Sequence, residues 1–233
     1  MTINIMHLYY DLLNLYGESG NIKVLKKYFE DQNIKTNIHF VTINDDIDLK
    51  DIDIIYIGNG TSKNQLIALN HLKKYTKEIK EYIENNKLLI STGNSVELFG
   101  KKIDENNALN IFDYISNNEG FRIVDEVIFK SNLISEYIIG FQNQEKTIKI
   151  NNNHLFDVIN GTGDYPKSKY EGIKYKNFYG THLIGPILVR NPKLLEYICN
   201  NLIKEKNKNF KIKKSKLNLQ KKAYVSFINK IHK

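Results

Sequence analysis

Asp51 to Gln65 reads DIDIIYIGNGTSKNQ. Ile54, Ile55 and Ile57 lie too close together for a strand with one wet face, so they predict a strand buried on both sides. Gly58, Asn59 and Gly60 stop it. From Asn64 to Asn86, Leu66, Leu69, Leu72, Tyr75, Ile79, Tyr82 and Ile83 then form a helical stripe with Lys and Glu opposite. The same alternation continues on either side. Upstream, INIMHL (3–8) predicts a strand, YYDLLNLYGESG (9–20) a loop, NIKVLKKYFEDQ (21–32) a helix on Ile22, Leu25, Tyr28 and Phe29, and residues 35–41 a second strand. Downstream, KLLIS (87–91) predicts a fourth strand, TGNS interrupts it and VELFG makes a short helical turn. Strands alternating with helices imply a parallel sheet with crossover helices.

The second half is patterned differently. FRIVDEVIF, SEYIIGFQN, TIKI, LFDVING and GIKYKNFYGTHLIGP are β-like runs between polar turns, which predict added antiparallel strands. Asn191 and Pro192 then open a helix, PKLLEYICNNLI, with proline at the first helical position. The 233 residues suit one α/β domain with an appendage, and no linker rich in Pro, Gly or Ser marks a boundary before about residue 204. The expected organisation is therefore a domain over 1–203 and a basic tail over 204–233, in which Tyr224, Phe227, Ile228 and Ile231 recur at helical spacing. That helix either docks on the body or meets a partner or a membrane surface.

Charge follows the same division. The chain is formally +8, but residues 204–233 hold 11 Lys and one acid, Glu205, leaving the first 203 residues at −2. The only arginines are Arg122 and Arg190, and readers of nucleic acid favour the bidentate guanidinium, so no nucleic-acid partner is expected. Cys199 is the single cysteine, which excludes an intramolecular disulfide and a cysteine-based zinc cluster; no metal site is expected. It lies in an apolar helical stripe, where a thiol is ordinary packing. The first residues have no basic segment leading into an apolar run, and no stretch of about 18 uncharged apolar residues occurs, so a cytoplasmic protein is expected.

Ligands of open α/β sheets bind where strands end in loops toward helices, here at GNGTSKNQ and TGNS. A strand running through a glycine-containing turn into a helix is also the geometry of a nucleophile elbow. In three segments, HLYYDLLNLYGESGNIKVLKK, DIDIIYIGNGTSKNQ and GIKYKNFYGTHLIGPILVRNP, in that order, the chain resembles class I glutamine amidotransferases of the cobyric-acid-synthase-like branch, the GatD-type subunits of lipid II isoglutaminyl synthases among them. The resemblance runs from His7 to about Leu202. It implies a mostly parallel, flavodoxin-like sheet flanked by helices, with added antiparallel strands.

The resemblance also implies losses. The family's elbow, Cys-Gly-Gly-Tyr-Gln-x-Leu-Gly, anchors on Gly100 and sets Glu97 on its Gln and the cysteine on Gly93, or on Thr92 if one residue is inserted. Its Gly-Thr-Tyr-Leu-His-Gly-Pro lies here as Gly180 to Pro186, which puts Ile184 at the histidine. Glutamine hydrolysis in this family needs the thiolate and the imidazole. His182, two residues away on a strand, would sit roughly 6 to 7 Å from position 184 and so reads as a surface or sheet-packing histidine. What persists would bind substrate: Gly58, Asn59 and Gly60 as an oxyanion loop, Gln65 after it unless it is merely a solvated helix start, and Arg122 unless it only pairs with Asp125 or Glu126. The resemblance therefore implies a GatD-like subunit without glutaminase activity, partnered by a MurT-like, Mur-ligase-type chain. That partner would hold ATP and this chain no cofactor; glutamine or lipid II would be its ligands and ammonium the nitrogen source. Two other readings stay open: glutaminase activity through residues not identified, and an amino-acid-binding module. The basic tail is a candidate for peripheral contact with the inner face of the membrane.

Overall fold

A computed structural model describes residues 1–231. Strands β1 (Thr2–Leu8), β2 (Lys35–Val41), β3 (Ile54–Ile57) and β4 (Leu88–Thr92) alternate with helices α1 (Ser19–Asp31), α2 (Ser62–Leu72) and α3 (Thr76–Glu84). The strands pair in parallel in the order β2-β1-β3-β4, joined on the far side of β4 by β11 (Phe178–Thr181). Both faces are covered, which accounts for the unbroken isoleucines: Ile54 and Tyr56 of β3 enter the core with α1, whereas Ile55 and Ile57 enter the core with α2 and α3. The stripe expected as one helix over 64–86 is two. They part at Lys73–Tyr75, where the Thr76 hydroxyl donates to the Lys73 carbonyl at 2.9 Å and competes with the helical ladder.

The second half extends the sheet with antiparallel strands. The short hairpin β5 (Lys102–Ile103) and β6 (Asn106–Asn107) edges the long β7 (Ile115–Lys130), followed by β8 (Ile138–Ile148), β9 (His154–Asn160), β10 (Tyr170–Tyr175) and, after β11, β12 (Leu183–Ile184). The strand path runs β12-β8-β7-β9-β10-β11 before it reaches β4. Only His182 separates β11 from β12, yet β12 pairs with β8 at the opposite end of that path. The antiparallel half must therefore curl back, which brings β8 over the loops at the carboxyl ends of β3 and β4.

Helices α4 (Ile187–Arg190) and α5 (Pro192–Lys206) complete the α1 face. Helix α6 (Asn218–Ile231) packs on α4 and α5: Leu217 is fully buried, Lys221 pairs with Glu196 at 2.7 Å, and the Tyr224 hydroxyl donates to the Tyr137 carbonyl at 2.8 Å. The basic segment thus docks on the body, with Leu219 and Val225 exposed. Among the described residues no helix is long and apolar enough to cross a membrane. Cys199 is fully buried in the α5 core, and burial pushes its thiol well above the ordinary range. Cys199→Ser is expected to cost ~1–3 kcal/mol in urea unfolding, from a hydroxyl set among apolar side chains, and to leave partner binding unchanged. Lost binding by a folded variant would give the thiol a role beyond packing.

Candidate functional site

Gly93, the first residue after β4, has φ +62°, a left-handed turn that aims it at the loop following β3. This is the elbow of the strand-turn-helix unit, and it has no side chain. Thr92 is fully buried instead, its hydroxyl donating to Glu18 and lying 2.8 Å from the Tyr56 hydroxyl. A Cβ on Gly93 would come within 2.3–2.5 Å of Asn59 Oδ1, Cγ and Cβ, distances no real Cβ tolerates. The space a nucleophile would need is filled by Asn59.

One backbone donor of each loop is filled as well. Asn94 N–H donates to Asn59 Oδ1 at 2.8 Å, Gly60 N–H donates to Asn94 Oδ1 at 3.0 Å, and Asn94 Nδ2 donates to the Gly60 carbonyl at 2.9 Å. The two asparagines close the loops over each other and occupy the Gly60 and Asn94 amides, two donors that an oxyanion would engage. Gln65 is buried beneath them, its Nε2 donating to the Asn94 carbonyl at 2.6 Å and to Glu97 Oε2 at 2.8 Å. Gly58 is closely packed as well: a Cβ there would meet the Leu13 carbonyl at 2.5 Å.

A cavity of about 250 Å³ lies between these loops and β8. Of the residues singled out from sequence, Gly93, Ile184, Asn59, Gly60 and Arg122 line it, whereas Gly58 and Gln65 do not. At its mouth, half-exposed Arg122 donates to Asn143 Oδ1 at 2.9 Å and stands 3.4 Å from Glu145 Oε1. Its partner is therefore Glu145 on β8, across the strand pair, and not Asp125 or Glu126. Glu145 accepts from the Ser62 hydroxyl at 2.7 Å, and that bond, with Lys146 and Arg122 nearby, holds it below the usual carboxylate range.

Deeper in, sequence reading missed a buried charge cluster. His182 is the link between β11 and β12, not a strand residue, and is 1% exposed. Its Nε2 faces Glu97 Oε1 at 3.9 Å, and its Nδ1 faces Asp164 Oδ1 at 3.6 Å and Glu171 Oε1 at 4.0 Å. Lys146 Nζ stands 4.0 Å from Glu97 Oε2. Burial alone would lower the imidazole, but Asp164, Glu97 and Glu171 together raise it. Burial, reinforced by the charge of Asp164, pushes Glu171 up to about 8. One signal was available: Glu97 is a carboxylate inside the otherwise apolar run VELFG.

Glu18 ties the site to the helices. Its Oε1 accepts from Gly185 N–H at 2.7 Å, next to Ile184, while Oε2 accepts from the hydroxyls of Tyr56 and Thr92, next to Gly93. Burial raises this carboxyl to about 7, against the pull of those donors and of Asn21.

Chemically the cavity offers opposite charges at its mouth and polar groups at its floor. Its hydroxyls are occupied, since Thr61 caps α2 by accepting from Asn64 N–H at 3.1 Å and Ser62 donates to Glu145. The comparisons with known proteins agree with this architecture. A family model described as CobB/CobQ-like glutamine amidotransferase domain matches residues 4–192. The chain is 30% identical over 209 residues to the lipid II isoglutaminyl synthase (glutamine-hydrolyzing) subunit GatD of Staphylococcus aureus, covering 88% of this chain and 86% of that one. It is 28% identical over 212 residues to the subunit of the same name from Streptococcus pneumoniae, covering 88% and 82%. In fold it is similar to a glutamine amidotransferase from Thermotoga maritima, with a TM-score of 0.55 at 10% identity over 99% of this chain and 95% of that one. A second glutamine amidotransferase structure aligns with a TM-score of 0.53 at 14% identity, over 84% and 98% of the two chains.

Proposed function

Because the chain belongs to the CobB/CobQ-like glutamine amidotransferase domain family and is similar along 88% of its length to GatD subunits, we propose that it is a GatD-like subunit of a lipid II isoglutaminyl synthase-type complex that has lost glutamine hydrolysis. The observation that carries this reading is Asn59 filling the space beside Gly93. Hydrolysis in this family proceeds through a thioester on a cysteine, relayed by a histidine. The resemblance sets Gly93, or Thr92 if one residue is inserted, and Ile184 at those two positions; Gly93 and Ile184 face the same cavity, and Thr92 is fully buried. Loss of a nucleophile from such a unit costs on the order of a million-fold in rate, and the asparagine pair would further deny the oxyanion its amides, each worth roughly 10²–10³-fold.

The subunit would then serve a MurT-like, Mur-ligase-type partner that binds ATP and activates a carboxylate of lipid II at the cytoplasmic face of the membrane, with free ammonium as the nitrogen source. The test is ammonia release from glutamine by this chain co-purified with that ligase, beside amidation of lipid II with ammonium chloride. Amidation from ammonium together with no release from glutamine is expected. Turnover of glutamine would overturn the reading.

A second reading rests on Arg122 and Glu145 at the cavity mouth, which present a cation and an anion to the two ends of a free amino acid. Calorimetric binding of glutamine by the isolated chain, lost in Arg122→Ala and without turnover, would favour a sensing role.

A further inference from the structure

Asp164 follows β9, Glu171 lies on β10 and His182 links β11 to β12, so no short motif announces their meeting. The curl of the antiparallel strands brings one ligand atom of each within 4.8 Å of the others. All three are at least 98% buried, with exposures of 2%, 0% and 1%. The separations of 3.6 and 4.0 Å from His182 Nδ1 to the two carboxylates are too long for hydrogen bonds. They approach the span of donors that each lie roughly 2.0–2.2 Å from one shared ion. Both ring nitrogens of His182 are buried without a hydrogen-bond partner, although Nδ1 points into the carboxylate pair. Leaving such a group unmatched is costly, and a cation bound at Nδ1 removes the mismatch.

The surroundings match a metal site in three further respects. Glu97 faces Nε2 from the other side of the ring at 3.9 Å, too far to hydrogen-bond it but on the side from which a carboxylate supports a metal-binding histidine. The ligand carboxylates are held in place: Glu171 accepts from His182 N–H at 2.6 Å and from the Thr181 hydroxyl at 2.8–2.9 Å, and Asp164 Oδ1 accepts from Gly172 N–H at 2.9 Å. Lys146 reaches Glu97 at 4.0 Å and Asp104 at 3.9 Å, and among the described residues no lysine pairs with Asp164 or Glu171, so a cation between those two carboxylates would offset their repulsion. Glu97 and His182 line the cavity, which supplies an entry path.

We propose that Asp164, Glu171 and His182 bind one divalent transition-metal ion of the zinc class. An imidazole among carboxylates, buried too deeply for the several waters that magnesium retains, selects zinc over magnesium or calcium. The proposal does not rest on the absence of glutaminase activity, and either can fail without the other.

The untagged full chain, stripped with EDTA, is titrated with ZnCl2 by calorimetry and melted with ZnCl2 or MgCl2. One equivalent of Zn2+ is expected, with a rise in Tm that Mg2+ does not give. Asp164→Asn and His182→Ala are expected to weaken binding at least ~10²-fold, whereas His154→Ala, at a half-buried position at the start of β9 outside the cluster, is not. If those variants fail to fold, the Co2+ complex of the unaltered chain keeps the proposal testable: four-coordinate visible bands without a thiolate charge-transfer band are expected. Absence of stoichiometric Zn2+, an octahedral Co2+ spectrum, or full binding by folded Asp164→Asn would overturn the site.

Discussion

The variant N59G/G93C/N94G/I184H is expected to release ammonia from glutamine, while the unaltered chain and G93C/I184H remain at background in the same coupled assay. Supplying the thiol and the imidazole alone should fail on steric grounds. The new Cβ at position 93 would lie 2.3–2.5 Å from Asn59, so either the loop after β3 is displaced or the cysteine is turned out of the cavity. Asn59 also accepts the N–H of residue 94, the amide adjacent to the nucleophile that family chemistry aims at the oxyanion. Replacing both asparagines by glycine frees that amide and the Gly60 N–H, which now donates to Asn94. With nucleophile, base and oxyanion donors restored, an increase of at least ~10²-fold over the parent is expected, well short of the full factor such units supply. Circular dichroism establishes that each variant is folded. Ammonia release by G93C/I184H alone would show that Asn59 yields readily and that the blocked elbow is not what silences the site. Background rates in a folded four-residue variant would mean that the cavity has diverged beyond these loops.

The parts of this arrangement that were legible in the sequence are local ones. The isoleucine run of β3 could be recognised because a strand covered on both faces abandons alternation, and the glycine-rich loops could be placed because they follow such strands directly. Arg122 and Ile184 were singled out individually, and both line the cavity. What could not be read is set by strand order. Glu97, Lys146, Asp164, Glu171 and His182 come together only because β12 returns to β8 and folds the antiparallel half over the parallel strands. Strand pairing over such separations depends on how the whole sheet curls, and no local period encodes it. The role of Asn59 was hidden for a similar reason. As a member of a glycine-rich loop it reads as a backbone donor, whereas its side chain reaches 35 residues along the chain to occupy the elbow.

Folding stability is expected to fall as pH rises from about 4.5 to about 7, in a component that Glu18→Gln abolishes. Burial lifts the Glu18 carboxyl in the folded chain to about 7 from an ordinary value of 4.5. Below 4.5 the group is protonated in both states and its contribution is complete. Between the two values the folded chain keeps a proton that the unfolded chain has released, so raising the pH favours unfolding; above 7 both forms are ionised and the loss levels off. The size follows from the shift and is on the order of 3 kcal/mol, at about 1.36 kcal/mol per unit. Other buried acids, Glu171 and Glu97 among them, are shifted in the same direction, so the quantity to follow is the difference between the unaltered chain and E18Q in urea unfolding at a series of pH values from 4 to 8.5. That difference should decline across the window and be flat outside it. A flat difference throughout would mean that the hydroxyls of Tyr56 and Thr92, together with Gly185 N–H, hold Glu18 ionised despite its burial. The location gives the titration its interest. One oxygen of Glu18 anchors the turn beside Ile184, and the other anchors the residue before Gly93. The same proton therefore bears on both halves of the cavity and on their attachment to α1.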